Sequence, residues 1–206
     1  MRKNLFLLSI ALLTSMMAVA VSPKREFRSV WLTTAASIDW PKNKAKTESG
    51  RKAQQAELTY IFDELVKGNM NAACFQVRGR SDAFYKSSYE PWSQDLTGTR
   101  GTDPGYDPLA FAIEEAHKRG LELHVWVNPF RVTTTGSLST SDKVYQNCKK
   151  WILKYDNGTF DGQFFDPGYP EARAYVQKVL MEIVNKYDID GIIMDDYFYP
   201  YGGTTK

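Results

Sequence analysis

The amino-acid sequence alternates short apolar runs with longer segments in which apolar residues recur every three or four positions. The apolar runs predict four β-strands, at residues 27–32, 71–78, 121–131 and 192–195. The last three runs each end in polar or aromatic side chains, which are unusual at the end of a fully buried strand. Functional residues are therefore predicted at the carboxyl ends of these strands.

Three of the segments between these strands predict amphipathic helices. The first runs from Thr47 to Gly68, where glycine suits a helix C-cap. The second begins at Asp107-Pro108, an N-cap carboxylate followed by proline at the first helical position, and ends at Gly120. The third opens at Pro170. The residues predicted to face the core are Leu58, Ile61, Phe62 and Leu65, then Leu109, Ala112, Ile113 and Ala116, then Ala172, Tyr175, Val176, Val179, Leu180, Ile183 and Val184.

Strands that alternate with amphipathic helices predict a parallel sheet covered by helices, either a (β/α)8 barrel or an open doubly wound sheet. No G-x-G-x-x-G sequence follows a predicted strand, so the main sign of a dinucleotide-binding doubly wound sheet is absent. Barrel enzymes hold their active sites at the carboxyl ends of the strands. The polar residues at those ends are Gln76 and Arg78, Asn128 and Arg131, and Asp195 and Asp196. The predicted fold class is α/β, a partial (β/α)8 TIM barrel.

Chain length limits how much of a barrel is present. A complete barrel takes about 250 residues, whereas this chain has 206 residues and only four predicted strands. We expect residues 21–206 to be the N-terminal half of a barrel, truncated from a longer protein. The edge of the fourth strand would then be unpaired, so this segment alone is expected to be poorly soluble or oligomeric.

The first twenty residues have the form of a secretory signal peptide. Arg2 and Lys3 give a basic start, residues 5–19 are almost wholly apolar, and Ala18-Val19-Ala20 is a small-x-small cleavage site. The apolar core is shorter than a spanning helix normally needs, and an uncleaved membrane anchor is the alternative. We predict an exported protein, secreted or held in the periplasm or cell envelope, with no stable membrane span after cleavage.

Removal of this segment changes the charge. The chain has 26 Lys+Arg and 24 Asp+Glu, so the loss of Arg2 and Lys3 leaves 24 of each. A formally neutral mature chain does not indicate nucleic acid or an anionic membrane as a partner. His117 and His124 have no Cys partners at ligand spacing, so no metal site is predicted.

The chain has two cysteines. Cys74 lies inside a predicted strand, which favours a small buried hydrophobe. An exported protein could also form a Cys74–Cys148 disulfide. Sequence alone does not give the distance between the two sulfurs, so both alternatives stay open.

The stretch DGIIMDDYFYP, residues 190–200, ends an apolar strand on two adjacent carboxylates. Strand alternation puts Asp195 on one face and Asp196 on the other, so only one can point straight into a barrel mouth. The spacing Asp-Gly-x-x-x-Asp favours Asp195, and it resembles the fourth strand of α-amylase-type and family 18 chitinase barrels. A pair of turn-capping carboxylates at a strand end is the structural alternative.

The chain as a whole resembles family 10 of the glycosyl-hydrolase-like proteins, which are bacterial envelope proteins with an amylase-like barrel. Matching segments follow one another over nearly all of the mature chain. They are RSVWLTT, DWP, AACFQVRGRSDAFYKSSYEPWSQDLTG, GYDPLAFAIEEAHKRGLELHVWVNPFRV, DPGYPEAR and DGIIMDDYFYP. The chain departs from the family at Ile193, where members often carry histidine.

The resemblance implies hydrolysis of O-glycosidic bonds, which uses two carboxyl groups. Asp195 is expected to be the nucleophile or transition-state stabiliser, with Arg78 or Arg131 favouring its ionised form. Asp196 is the adjacent catalytic candidate, but it points to the opposite face. The second catalytic carboxyl is therefore expected on a strand beyond this chain. The candidate substrate-binding residues are Gln76, Arg78, Trp92, Asn128, Arg131, Tyr197 and Tyr199.

Two functions follow from the resemblance. The first is an exported glycoside hydrolase acting on a polysaccharide, with bacterial cell-wall glycan or peptidoglycan strands suggested by the family's envelope association. A glycoside hydrolase requires no cofactor, and none is predicted. The second is a non-catalytic carbohydrate-binding protein on the same scaffold, which the loss of histidine at Ile193 makes credible. Metal-dependent deacetylation is disfavoured, because no pair of histidines with an acidic partner has ligand spacing.

Overall fold

A computed structural model of the chain describes residues 26–195, so the predicted signal peptide and Asp196, Tyr197 and Tyr199 lie outside the described residues. Six strands are described: β1 (Ser29–Leu32), β2 (Ala72–Arg78), β3 (Glu122–Val127), β4 (Ile152–Asp156), β5 (Asp161–Phe165) and β6 (Gly191–Ile193). The α-helices are α1 (Glu48–Lys67), α2 (Gln94–Thr97), α3 (Pro108–His117), α4 (Lys143–Cys148) and α5 (Pro170–Lys186). Short 3₁₀ turns lie at Ala35–Ser37 and Lys149–Trp151.

The four strands predicted from sequence form one parallel sheet in the order β1-β2-β3-β6. Each successive strand of the βα series lies next to the previous one, without the reversal of strand order that defines a doubly wound sheet. All four carboxyl ends consequently meet at one edge. This winding is that of one part of a (β/α)8 barrel.

The helix boundaries follow the sequence signals. Thr47 caps α1 by accepting a hydrogen bond from the Gly50 amide, and Gly68 follows the helix as its C-cap. The Asp107 carboxylate caps α3 by accepting from the amides of Leu109 and Ala110 at 3.1 Å each. These caps satisfy backbone N–H groups that have no partner inside the helix. The predicted helix starts are confirmed.

The main core lies between the sheet and its helices. It contains the predicted inner residues of α1 and α3 together with every second residue of β2 and β3. The helix α5 contributes Ile183 to this core, but Val184 is 47% exposed. The prediction that Val184 faces the core is wrong, because one residue further along a helix turns the side chain by about 100° toward solvent.

The connection from β3 to α5 holds a substructure that sequence periodicity did not reveal. Strands β4 and β5 pair antiparallel in a separate two-stranded sheet, which packs with α4 and α5 around a second apolar cluster. The strand β3 ends at Val127 and not at residue 131 as predicted. Asn128 is followed by Pro129, whose missing N–H cannot continue a ladder.

Both cysteines are buried free thiols. Burial raises the pKa of Cys148 to about 12, with a smaller contribution from the Glu90 carboxylate, and burial also raises the pKa of Cys74. Cys74 Sγ lies 3.0 Å from the hydroxyl of Ser29 on the neighbouring strand. Cys74 is thus the small buried residue expected from its strand position.

Candidate functional site

The sheet has one face that packs on helices and one that does not. In β2 and β3 the residues Ala73, Phe75, Val77, Leu123 and Val125 belong to the main core. The alternating residues define the opposite face, called the inner face here because it would line the barrel interior. Across the strands it carries Trp31, Cys74, His124 and Gly191 in one row, and Gln76, Trp126 and Ile193 in the next.

Aromatic rings dominate the part of the inner face near β1 and β3. The rings of Trp31 and Trp126 meet edge to face with centroids 4.8 Å apart, and Phe27 meets His124 in the same way at 4.9 Å. Trp31 is 44% exposed, so its ring is available to other groups. The indole N–H of Trp126 is shielded from solvent and has no hydrogen-bond partner among the described residues.

The strand β6 ends at Ile193, so Asp195 lies two residues beyond it and not within the strand as predicted. Continued alternation from Ile193 would place Asp195 on the inner face. Its Oδ1 is shielded from solvent, and within residues 26–195 no group donates a hydrogen bond to it. A carboxylate oxygen that is enclosed but unpaired retains its capacity to accept a proton or stabilise positive charge.

Arg78, at the end of β2, is paired with Glu90 and not with Asp195 as predicted. Its Nη2 and Nε donate to the two carboxylate oxygens of Glu90 at 2.6 and 2.7 Å, and both side chains are at most 1% exposed. Its Nη1 donates to the Asn128 carbonyl. Burial, which lowers the pKa of Arg78, is outweighed by the Glu90 carboxylate, so the pKa is raised. Arg78 joins the loops after β2 and β3.

Gln76 and Asn128 are also held in buried structural hydrogen bonds. The Gln76 side-chain oxygen accepts from the amides of Thr34 and Ala35 at 3.0 and 2.9 Å, which fixes the loop after β1. The Asn128 side-chain oxygen accepts from the Arg131 amide at 3.0 Å and shapes the turn after β3. Both residues are predicted from sequence to contact sugar. Their side-chain oxygens accept hydrogen bonds from backbone amides of the protein.

The remaining predicted contacts lie further along the loops. Arg131 is half-buried and its backbone bridges to Phe164 of β5. Trp92 is half-buried, packs against the main core, and its backbone pairs with Ala83. The predicted site residues Asp196, Tyr197 and Tyr199 lie outside the described residues.

Comparison with known proteins identifies the family. The model of the family described as "Glycosyl hydrolase-like 10" matches residues 26–205. The chain belongs to this family. The segment that matches includes all of the sheet, the long loops at its carboxyl edge and Asp195.

Curated relatives carry related names. The glycosyl hydrolase YngK of Bacillus subtilis (strain 168) is 45% identical over 180 residues, covering 86% of this chain and 34% of that protein. The glycosyl hydrolase DigH of Escherichia coli (strain K12) is 35% identical over 197 residues, covering 88% of this chain and 44% of that protein. The chain therefore spans less than half the length of these relatives.

Solved structures agree on the fold. The α-L-fucosidase isoenzyme 2 of Paenibacillus thiaminolyticus superposes with a TM-score of 0.55 at 18% identity, covering 83% of this chain and 23% of that one. The maltogenic α-amylase AmyB of Thermotoga neapolitana superposes with a TM-score of 0.51 at 14% identity, covering 82% and 39%. Both are TIM-barrel glycoside hydrolases of which this chain covers a part, and the predicted partial barrel is confirmed.

Some residues that organise this family member were not recognised from sequence. Glu90, the buried partner of Arg78, lies in the connection between β2 and α2. A buried carboxylate in a loop has no periodic signal, because its burial depends on an arginine twelve residues away. The contact between Trp31 and Trp126 could be predicted only if the register of the strands were known.

Features of other site classes are missing from the described part of the chain. Within residues 26–195, no group of three His, Cys, Asp or Glu side chains is arranged to hold a metal ion. The two histidines each contact a single carboxylate, His117 that of Asp190 and His124 that of Glu122. None of the helices in this range combines the length and apolar character needed to cross a membrane.

Proposed function

We propose that this protein is an exported glycoside hydrolase that cleaves O-glycosidic bonds of a polysaccharide, with the glycan strands of the bacterial cell wall as substrate. The observation that carries the proposal is Asp195, a carboxylate just beyond the carboxyl end of β6 whose Oδ1 is shielded from solvent and has no partner among the described residues. Membership of the glycosyl hydrolase-like family supports the reaction class. The signal-peptide pattern of residues 1–20 supports export.

The proposed chemistry needs positive charge at the sugar ring to be stabilised as the glycosidic bond breaks. Asp195, as the ionised carboxylate, attacks the anomeric carbon or stabilises the oxocarbenium-like transition state. A second carboxyl group, protonated, gives its proton to the leaving oxygen as the glycosidic C–O bond breaks. Water then adds to the anomeric carbon, which completes the hydrolysis. Glu90 is not suited to that role, because its two oxygens are bound by Arg78 in the interior. We therefore place the acid outside the described residues.

The aromatic part of the inner face supports the same ligand class. The flat faces of indole rings pack against the C–H groups of pyranose rings, and Trp31 is exposed enough to do so. No cofactor takes part in this scheme, since two carboxyl groups and water account for every bond made and broken.

A second candidate function is carbohydrate binding without hydrolysis. Ile193 is the observation that favours it, because this inner-face position next to Trp126 is where family members often carry histidine. An aliphatic side chain there can pack on a sugar but cannot donate a hydrogen bond or a proton.

Release of reducing ends tests the two functions. The complete gene product is incubated with a purified cell-wall glycan. Asp195→Asn is compared with a matched control, Asp188→Asn, at an exposed position in the connection between α5 and β6. We expect Asp195→Asn to lose activity by a factor of about 10² to 10⁴ and Asp188→Asn to keep it. Unchanged activity in Asp195→Asn contradicts the assignment. Glycan binding without hydrolysis by the unmodified protein favours the second function.

A further inference from the structure

A cleft of about 530 Å³ lies between the loop after β2 and the loop after β3. Its volume is within the range of about 300–1,000 Å³ typical of small-molecule sites. Asp195, Asn128 and Trp126 do not line it. The cleft is thus separate from the inner face, although it opens among the loops at the same carboxyl edge of the sheet.

Four charged side chains line the cleft, and their formal charges cancel. Arg80 and Arg100 each approach Asp82 Oδ2, at 3.5 and 3.4 Å, and Arg100 Nε donates to Asp142 at 2.7 Å. Arg80 is held from behind by Asp95. These groups are mostly buried and mutually fixed, so they present oriented donors and acceptors without an excess of either charge.

The loop after β3, which forms one wall of the cleft, is fixed by hydrogen bonds. Hydrogen bonds attach it to β5: the Gly136 amide donates to the Asp161 carbonyl at 2.8 Å, and the Leu138 amide donates to the Gln163 side chain at 2.8 Å. The Gln163 amide in turn donates to the Thr133 hydroxyl at 2.9 Å. A wall held in this way loses little conformational freedom when a ligand binds.

Hydroxyl groups complete the lining. Thr134, Thr135 and Ser137 face the cleft, and their hydroxyls have no hydrogen bond within the described part of the chain. Val132 and Leu138 add apolar surface. Free hydroxyls, oriented guanidinium and carboxylate groups and a small apolar area match the mixed polar edges and C–H faces of a sugar ring.

We propose that this cleft binds a neutral sugar unit of the glycan chain, away from the bond that is cleaved. The proposal rests on the proposed function for its ligand class. Neutrality follows from the charges: both arginines are already paired with aspartates, so a carboxylate or phosphate would meet no unpaired cation and would face the Asp82 and Asp142 carboxylates. Long chains then gain affinity by filling the cleft and the inner face together.

Filling the cleft with a large side chain tests the proposal. Ser137→Trp and Thr135→Trp replace exposed residues that line the cleft, and Thr140→Trp places the same side chain at an exposed position of the same loop that does not line it. Binding of the neutral hexamer and dimer of β-1,4-linked N-acetylglucosamine to the complete gene product is measured by calorimetry. A hexamer of galacturonic acid is the anionic comparison.

We expect Ser137→Trp and Thr135→Trp to weaken hexamer binding at least about tenfold, the effect of losing one or two hydrogen-bonded contacts. The affinity for the dimer should be the same in all variants, and Thr140→Trp should bind the hexamer as tightly as the unmodified protein. The galacturonate hexamer should bind weakly, with the same affinity in every variant. Equal hexamer affinity in all variants, no hexamer binding by the unmodified protein, or preferred binding of the acidic hexamer would each overturn the proposal.

Reducing-end release measured in parallel separates this proposal from the proposed function. Hydrolysis that persists while hexamer binding is insensitive to Ser137→Trp overturns only the cleft. Absence of hydrolysis while Ser137→Trp and Thr135→Trp weaken the hexamer overturns the hydrolase function and supports the cleft.

Discussion

At the scale of single residues, the buried Arg78–Glu90 pair organises the carboxyl edge of the sheet. Two charged groups out of contact with water are tolerated because each of Nε and Nη2 meets its own carboxylate oxygen, and the third donor direction is taken by the Asn128 carbonyl. Tyr175 adds a contact to Glu90 at 3.4 Å. The pair therefore fixes the loops after β2 and β3 relative to each other at the carboxyl edge of the sheet.

Removing one partner should expose this dependence. Glu90→Gln leaves the Arg78 charge buried without its counter-ion, so we expect the complete gene product to lose about 3–5 kcal/mol of unfolding free energy in urea titration. The double replacement Arg78→Met with Glu90→Leu should recover much of that loss. Glu48→Gln, which breaks an exposed pair with Lys52, is the control and should have a much smaller effect. A small effect of Glu90→Gln would mean that water reaches the pair.

At the scale of elements, periodic segments were predictable from sequence and irregular ones were not. The first two predicted helices and the strand β2 follow from apolar spacing and from caps such as Thr47 and Asp107. The antiparallel strands β4 and β5 did not emerge, because each is only five residues long and the second apolar cluster that they cover forms only when they pack against α4 and α5. The roles of Gln76 and Arg78 likewise depend on loop partners that only the folded chain brings close.

The carboxylate of Glu182 on α5 is one of the groups that attach the long loop after β2 to this helix. Glu182 accepts from the Ser87 hydroxyl and the Ser88 amide, both at 2.7 Å, and pairs with Lys186 of its own helix. Burial raises the pKa of Glu182, but the hydrogen bonds from Lys186, Ser87 and Ser88 together lower it below its ordinary value of 4.5. A lowered native pKa means that the ionised form stabilises the fold.

This sign fixes the pH dependence. The contribution of Glu182 is present above its ordinary pKa of 4.5 and is lost as pH falls through the lower native value. We expect unfolding free energy to fall more steeply below about pH 4.5 in the unmodified protein than in Glu182→Gln. Glu171→Gln, an exposed glutamate of the same helix, is the control. Parallel pH profiles for Glu182→Gln and the unmodified protein would contradict the role of Glu182.

At the scale of the whole molecule, the inner face is the unusual surface. Phe27 and Trp31 are 54% and 44% exposed beside Trp126, and β6 has a paired neighbour on one side only among the described residues. An open strand edge and exposed aromatic rings on one sheet favour association.

We therefore expect residues 21–206 expressed alone to self-associate in sedimentation measurements, and Trp31→Asn with Phe27→Asn to reduce the association. The complete gene product should sediment as a discrete species. A monodisperse and cooperatively melting monomer of residues 21–206 would contradict this expectation and would mean that the inner face is stable in water.

The position of Asp195 at the mouth of the barrel is the claim on which the proposed chemistry depends. A crystal structure of the complete gene product carrying Asp195→Asn, with a bound glycan oligosaccharide, tests it most directly. We predict a sugar ring within hydrogen-bond distance of residue 195, on the sheet face that carries Trp126 and Ile193. A sugar bound elsewhere, with residue 195 turned toward the helices, would contradict the account.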